Sequence, residues 1–476
     1  MNMPMPTDPQ KGVARRWGVI AAATVFIVVL AAVGTVVVLK TIKADPRERP
    51  SDWHPPLQPL LASSMQVQPI VGWRTPVLDV GPFPSASPDT VPTELRFATN
   101  VSAFDSTPFV GSTGDRAYFR VGDAGSSSPQ WWLIGIDVRD GGRLFPAVPL
   151  PTTSRPPQCY LNGPDALLCI ENATENVRFW TIDGHTGAVT HTGFTPLRTY
   201  TGNLGVQQVG IYALATTQSE GVRGIGSTAE TTWSVPGNGD VDQGSSSIRD
   251  IPPIELATQK SGRAADTRVV FSIANGTIVS PRTTDGSRQL KTTVYPGGFA
   301  AEVSRGDERP TVQFFDESGG RVGQEVPGGT LADSVAELPV VALAPSGWAA
   351  YSAQGEKLLQ QPGAMPAQTR LIGSTLYAMG DSGWHQYNLV TGAQGKDCSY
   401  GLGEGGYIAS DGKAAVLTSG NATVGLETSG VDLASCNTLW TTNSAPGSFR
   451  HVWRINTTLV QLSDDGKELM SLVAPS

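Results

Sequence analysis

Histidine and cysteine are scarce in this chain, and the linear signatures of catalysis are missing. Five histidines and four cysteines in 476 residues are too few for a zinc-rich or disulfide-dense scaffold. No H-E-x-x-H, G-x-S-x-G, P-loop or C-x-x-C arrangement occurs, so the usual metalloprotease, hydrolase, nucleotidase and thioredoxin-like readings have nothing to rest on. Basic charge is also short, with 34 Lys and Arg against 42 Asp and Glu for a net of −8. Residues 1–43 hold Lys11, Arg15, Arg16, Lys40 and Lys43 against Asp8, a net of +4, which leaves −12 on the remainder. Nucleic acid requires a basic footprint, and none is expected as a partner.

One long apolar run is present. From Trp17 to Leu39 the chain carries no charge over 23 residues, enough for a helix to cross a bilayer. A cleaved signal peptide has a shorter core and a small-residue cleavage site; here Leu39 is followed by Lys40 and Lys43. An uncleaved, single-pass signal anchor is therefore expected, behind a short cytoplasmic tail (1–16). Counting Lys and Arg on the two sides leans the other way, but large domains translocate regardless of flanking charge. The expected localisation is the cell membrane, with the large domain extracytoplasmic. Composition has the look of a bacterial envelope protein.

The placement of the four cysteines fits an oxidising compartment. Pro164 is the midpoint of Cys159 and Cys169, so a hairpin centred there sets the two opposite each other, within disulfide reach; two separate buried thiols are the competing reading. Cys398 and Cys436 are expected to bridge neighbouring repeats, a weaker inference because they lie further apart.

From Ala44 to Thr93 there are eleven prolines, which remove amide donors and favour extended chain. Residues 40–93 are expected to form a stalk. Within it, Gln68 to Gly81 (QPIVGWRTPVLDVG) alone has the Val, Ile and Trp content of a strand, and it is a candidate for closing a ring.

Beyond residue 93 short β-branched and aromatic runs alternate with Gly, Asp, Asn and Ser, the pattern of an all-β fold. WWLIGIDVRDGGRLFPAV, RFWTIDGHTGAVTHTG, VQFFDESGGRVGQEV and WHQYNLVTGAQGKDC align as apolar strand, polar turn, second strand. Turn signals near 140, 186, 229, 285, 318, 355, 391, 434 and 465 take eight steps from first to last, a mean of about 41 residues, which is the spacing of propeller blades. Dividing the roughly 380 residues that follow the stalk by 41 to 50 per blade allows seven to nine. The expected fold class is an all-β propeller over 94–476 with eight blades, seven being the alternative.

The strand, Asp, Thr-Gly, strand pattern, clearest in FWTIDGHTGAV, resembles the blade repeat of the pyrroloquinoline-quinone-like propellers. That superfamily includes quinoprotein dehydrogenases and a non-enzymatic lipoprotein that assists outer-membrane protein assembly. The resemblance covers roughly residues 100–476 and is to the repeat only. The family's tryptophan after Thr-Gly is mostly missing, with Trp440 and Trp233 as exceptions. The dehydrogenases often present adjacent cysteines over their cofactor, and this chain has no Cys-Cys pair.

Candidate sites are few. Asn238, Asp240 and Asp242 recur at alternate positions as calcium-loop ligands do, yet the closing position holds Arg249, and a solvated loop is the competing reading. His185 and His191 belong on different strands. GLGEGG (401–406) is followed by strand rather than helix, so it reads as an inter-blade turn, not a phosphate cradle. Trp131, Trp132, Trp180, Trp348, Trp384, Trp440 and Trp453 suit core packing, with a ligand platform as the alternative. No cofactor and no catalytic residues are assigned. The expected function is a non-enzymatic binding or scaffolding module whose partner is a cell-envelope protein or polymer; a propeller enzyme, whether quinoprotein dehydrogenase, hydrolase or lyase, is the alternative.

Overall fold

The computed structural model describes residues 52–84, 94–97, 108–123, 130–152, 155–200, 203–242, 255–262, 267–279, 287–306, 308–332, 337–403, 406–421 and 423–475. These form nine antiparallel sheets, each following the last along the chain. In order the blades take residues 95–149, 158–194, 205–235, 256–272, 288–327, 330–361, 369–388, 407–443 and 451–473. Nine, not eight, is therefore the blade count. The expectation of eight came from dividing length by a generous blade size, whereas two-residue turns keep many blades compact.

The sequence of each central strand explains the stacking. In Trp131–Asp137, Trp132, Ile134 and Ile136 face a core shared with blade 9, while Trp131 and Leu133 face one shared with blade 2. Side chains alternate along a strand, so a sheet covered on both faces needs an almost continuous apolar run. The same division recurs at Leu167 and Cys169 against Leu168 and Ile170 in blade 2. Nine separate apolar clusters result, one between each pair of neighbouring blades. Each fully buried Leu, Ile or Phe in them contributes about 1.5–3 kcal/mol.

Blade 9 supplies three consecutive strands, His451–Ile455, Thr458–Leu462 and Glu468–Val473. Its fourth is Ile70–Pro76, which lies inside the Gln68 to Gly81 segment and pairs antiparallel with Glu468–Val473 in the register Ile70 to Val473 and Thr75 to Leu469. Pro76 ends that outer strand, where a missing amide costs no ladder bond.

The stalk expectation needs correction over its described part. Residues 52–84 pack against the ring instead of standing clear of it. Trp53 rests on the core between blades 6 and 7, and Leu61 and Met65 are buried between blades 8 and 9. Proline removes donors, but it leaves carbonyls and does not prevent burial of the leucine and methionine between prolines. The apolar run from Trp17 to Leu39 lies outside the described residues, and among the described residues no helix is long and apolar enough to cross a membrane.

Candidate functional site

The meander gives the ring two unlike faces. One carries the turn between the first and second strands of each blade and the turn between the third and fourth. In blades 1, 3, 5, 7 and 9 the former is only two residues, Gly114-Asp115, Gly210-Ile211, Pro296-Gly297, Gly373-Ser374 and Asn456-Thr457. Gly114, Gly210, Gly373 and Asn456 take positive φ there, a conformation that favours glycine and, less strongly, asparagine. The opposite face carries the second-to-third turns and the connections between blades, several of them longer, such as 195–204, 362–368 and 444–450.

The turn between the third and fourth strands repeats one chemistry. In blade 2, Asp183 Oδ1 accepts from the His185 amide at 3.0 Å, from the Thr186 amide at 2.8 Å and from Thr186 Oγ1 at 2.8 Å. Asp316, Asn388 and Asp432 play the same part in blades 5, 7 and 8. Those turn amides hold the Asp183 carboxyl below its usual range, and the hydroxyl and amide of Ser435 do so for Asp432. A left-handed residue closes each turn, Gly187, Gly319, Gly392 and, without glycine, Cys436.

These turns also lock neighbouring blades. A β-carbon on Gly187 would fall 2.5 Å from the Phe145 ring of blade 1, and one on Gly276 would fall 2.5 Å from Trp233 of blade 3. At the closing seam Trp73, from the borrowed strand, occupies that place over Gly141 and donates Nε1–H to the Val138 carbonyl at 2.9 Å. Buried or half-buried polar side chains add clamps across other seams. The Leu161 amide donates to Gln208 Oε1 at 2.8 Å, Leu331 to Glu302 Oε1 at 2.8 Å and Leu371 to Glu337 Oε2 at 2.9 Å. Nothing in the linear sequence marks these three residues.

Both disulfides are present, Cys159–Cys169 and Cys398–Cys436. The first joins directly facing residues of one hairpin. The second ties the chain after the third strand of blade 7 to the turn of blade 8, and Gln386 Nε2 lies 3.0 Å from each sulfur.

The proposed ion loop is only partly assembled. Asn238 and Asp240 meet, with Asn238 Nδ2 donating to Asp240 Oδ2 at 2.8 Å, but Asp242 turns to Arg268, 3.1 Å away. Among the described residues no group of three or more His, Cys, Asp or Glu is placed to hold a metal. His185 sits in a turn 2.7 Å from Asp165, which also meets Arg116; His191 lies on the outer strand Val189–Phe194. The GLGEGG stretch connects blades 7 and 8. All seven tryptophans considered as a platform are buried and belong to the blade cores. Burial pushes the Tyr160 hydroxyl up to about 12, which removes it as a base near neutral pH. What the described surface offers is a contact surface: on the long-connection face Phe194, Tyr200, Val424 and Leu78 are exposed, and such loops are where binding residues concentrate.

Residues 45–475 match the conjugation-associated 9-bladed beta-propeller domain family. An uncharacterized protein of Mycolicibacterium smegmatis (strain MKD8) is 36% identical over 483 residues, covering 97% of each chain. Among solved structures, BamB from Moraxella catarrhalis is 13% identical with a TM-score of 0.28, covering 85% of this chain and 99% of that one. Apo AztD from Citrobacter koseri is 9% identical with a TM-score of 0.34, covering 72% and 91%.

Proposed function

The chain belongs to the conjugation-associated nine-bladed β-propeller family, and from that premise we propose that it is a non-enzymatic binding module of the mating apparatus in the cell envelope. The Trp17 to Leu39 run anchors it as a single pass, the ring is extracytoplasmic, and the partner is an envelope protein docked on the long-connection face. The family match, which spans the whole ring, is the observation that carries this reading. Two disulfides support an oxidising compartment. The acidic balance of the ring supports a protein partner over the transferred nucleic acid itself.

The test is genetic and then chemical. Deleting the gene from a donor and from a recipient strain should lower transfer frequency in at least one background, with restoration by the intact chain. Unchanged transfer in both sinks the role in conjugation. A photo-crosslinking residue at Tyr200 or Val424 should capture a discrete envelope protein, whereas one at Lys413, on the short-turn face, should not. Capture from Lys413 alone would move the docking surface to the other side.

A further inference from the structure

The path of residues 53–67 across the ring is specific about which face it follows. Gln58 makes a reciprocal pair with Gly373 in the short turn of blade 7, Nε2–H donating to the carbonyl at 3.1 Å and Oε1 accepting from the amide at 2.8 Å. The Leu61 amide donates to the Ser410 carbonyl at 2.8 Å and the Met65 amide to Asp411 Oδ2 at 2.6 Å, both at the short turn of blade 8. The Ala62 amide donates to the Thr457 carbonyl at 2.9 Å, in the short turn of blade 9. Three consecutive blades thus hold this strap by the same face, and Trp440 Nε1–H fixes its far end at the Met65 carbonyl, 2.8 Å away.

The apolar run ends at Leu39, fourteen positions before Trp53. Fully extended, that interval reaches at most about 50 Å. We infer that the strap turns the short-turn face of the ring toward the bilayer, with the attachment off-centre beside blades 6 and 7, and leaves the long-connection face directed away from it. This rests on the reading of Trp17 to Leu39 as a membrane span. The strap converts an end-tether into an orienting contact, because the chain is gripped at three blades before it enters the sheet of blade 9.

Energy transfer from the ring to the bilayer tests the orientation. The intact chain is reconstituted into vesicles containing a headgroup-labelled acceptor lipid, with single donor dyes on Lys413→Cys and Glu317→Cys (short-turn face, blades 8 and 5) or on Ala445→Cys and Glu308→Cys (long-connection face, the same two blades). All four native cysteines are in disulfides, so each added thiol labels alone. Transfer from Lys413→Cys and Glu317→Cys should exceed that from their counterparts on the same blades. Equal transfer from both faces, or the reverse order, in protein that floats with the vesicles overturns the orientation while leaving the anchor intact. Protein that fails to float overturns the anchor and the orientation together. Gln58→Ala combined with Leu61→Ala should narrow the difference between faces without releasing the protein from the vesicles; an undiminished difference would show that the strap does not set it.

Discussion

Between blades 7 and 8 the ring is joined by a covalent bond, Cys398–Cys436, whereas between blades 9 and 1 it is joined by a strand taken from the other end of the chain. The first seam connects segments 38 residues apart, which any blade repeat brings together locally. The second must bring together residues as distant as Arg74 and Met470, 396 positions apart. A disulfide acts largely on the unfolded chain, by restricting it. The borrowed strand acts on the folded one, through the ladder to Glu468–Val473, the Trp73 lock on Gly141 and the burial of Val77 and Val80 with Trp453 and Ile455. Seam 7–8 should therefore tolerate loss of its special element and keep its geometry, while seam 9–1 should not.

The largest effect is expected from deleting residues 68–81 in the ring domain. That exposes the edge of Glu468–Val473, and calorimetry should show a broadened, lower transition with aggregation. A melt superimposable on that of the intact ring domain would mean the seam closes without the strand. Next, replacing Cys398 and Cys436 by serine should lower unfolding free energy by about 4 kcal/mol in urea titration, with cooperativity retained, and replacing Cys159 and Cys169, only ten apart, by about 3 kcal/mol. A smaller loss from the 38-residue pair than from the ten-residue pair would contradict the chain-entropy account. Smaller again is Gly187→Ala, where positive φ and the Phe145 ring together should cost about 1–3 kcal/mol. Gly363→Ala, also at positive φ but with open space around it, is the comparison that isolates the seam contact.

Acid should produce the smallest change. The Asp183 carboxyl is held below its ordinary 3.8, first by the backbone amide of Thr186. Its contribution is complete above that ordinary value and is lost as pH falls through the lowered one. Melting temperature followed from pH 6 down to pH 2 should decline, and Asp183→Asn should flatten part of the decline below about pH 4. Parallel profiles for the two proteins would exclude this turn as a source.

Much of the ring was legible because its signals are local. Asp183, Thr186 and Gly187 announce a turn whose hydrogen bonds are made within five residues. Seven of the nine turn signals, near 140, 186, 229, 318, 355, 391 and 434, fall directly after the third strands of blades 1, 2, 3, 5, 6, 7 and 8. The one near 285 lies outside the described residues, and the one near 465 falls between the second and third strands of blade 9. The midpoint at Pro164 located the Cys159–Cys169 hairpin for the same reason. The Val, Ile and Trp content of residues 68–81 singled out the stretch containing Ile70–Pro76, although its partner lies at the far end of the chain. Residues 52–67 gave no comparable signal, because proline spacing describes backbone freedom, not what Leu61 and Met65 will find to pack against. Gln208, Glu302 and Glu337 were illegible too, since a polar side chain serving a neighbouring blade's amide has no sequence period. As to a site, the alternate acidic pattern at Asn238, Asp240 and Asp242 did not foresee Arg268, which reaches Asp242 from another strand.

The order in which the ring's two closing pieces are made has a consequence for biosynthesis. Ile70–Pro76 leaves the ribosome before any blade and Glu468–Val473 after the first eight, so the first strand has no partner until the ninth blade is made. Throughout that interval the growing chain exposes two unsatisfied sheet margins, the hazard that slow, long-range β pairing creates. The strap's own sites on blades 7, 8 and 9 also appear only after the first six blades are made. A chain that ends before Glu468–Val473 therefore leaves its first strand without the partner it has in the ring.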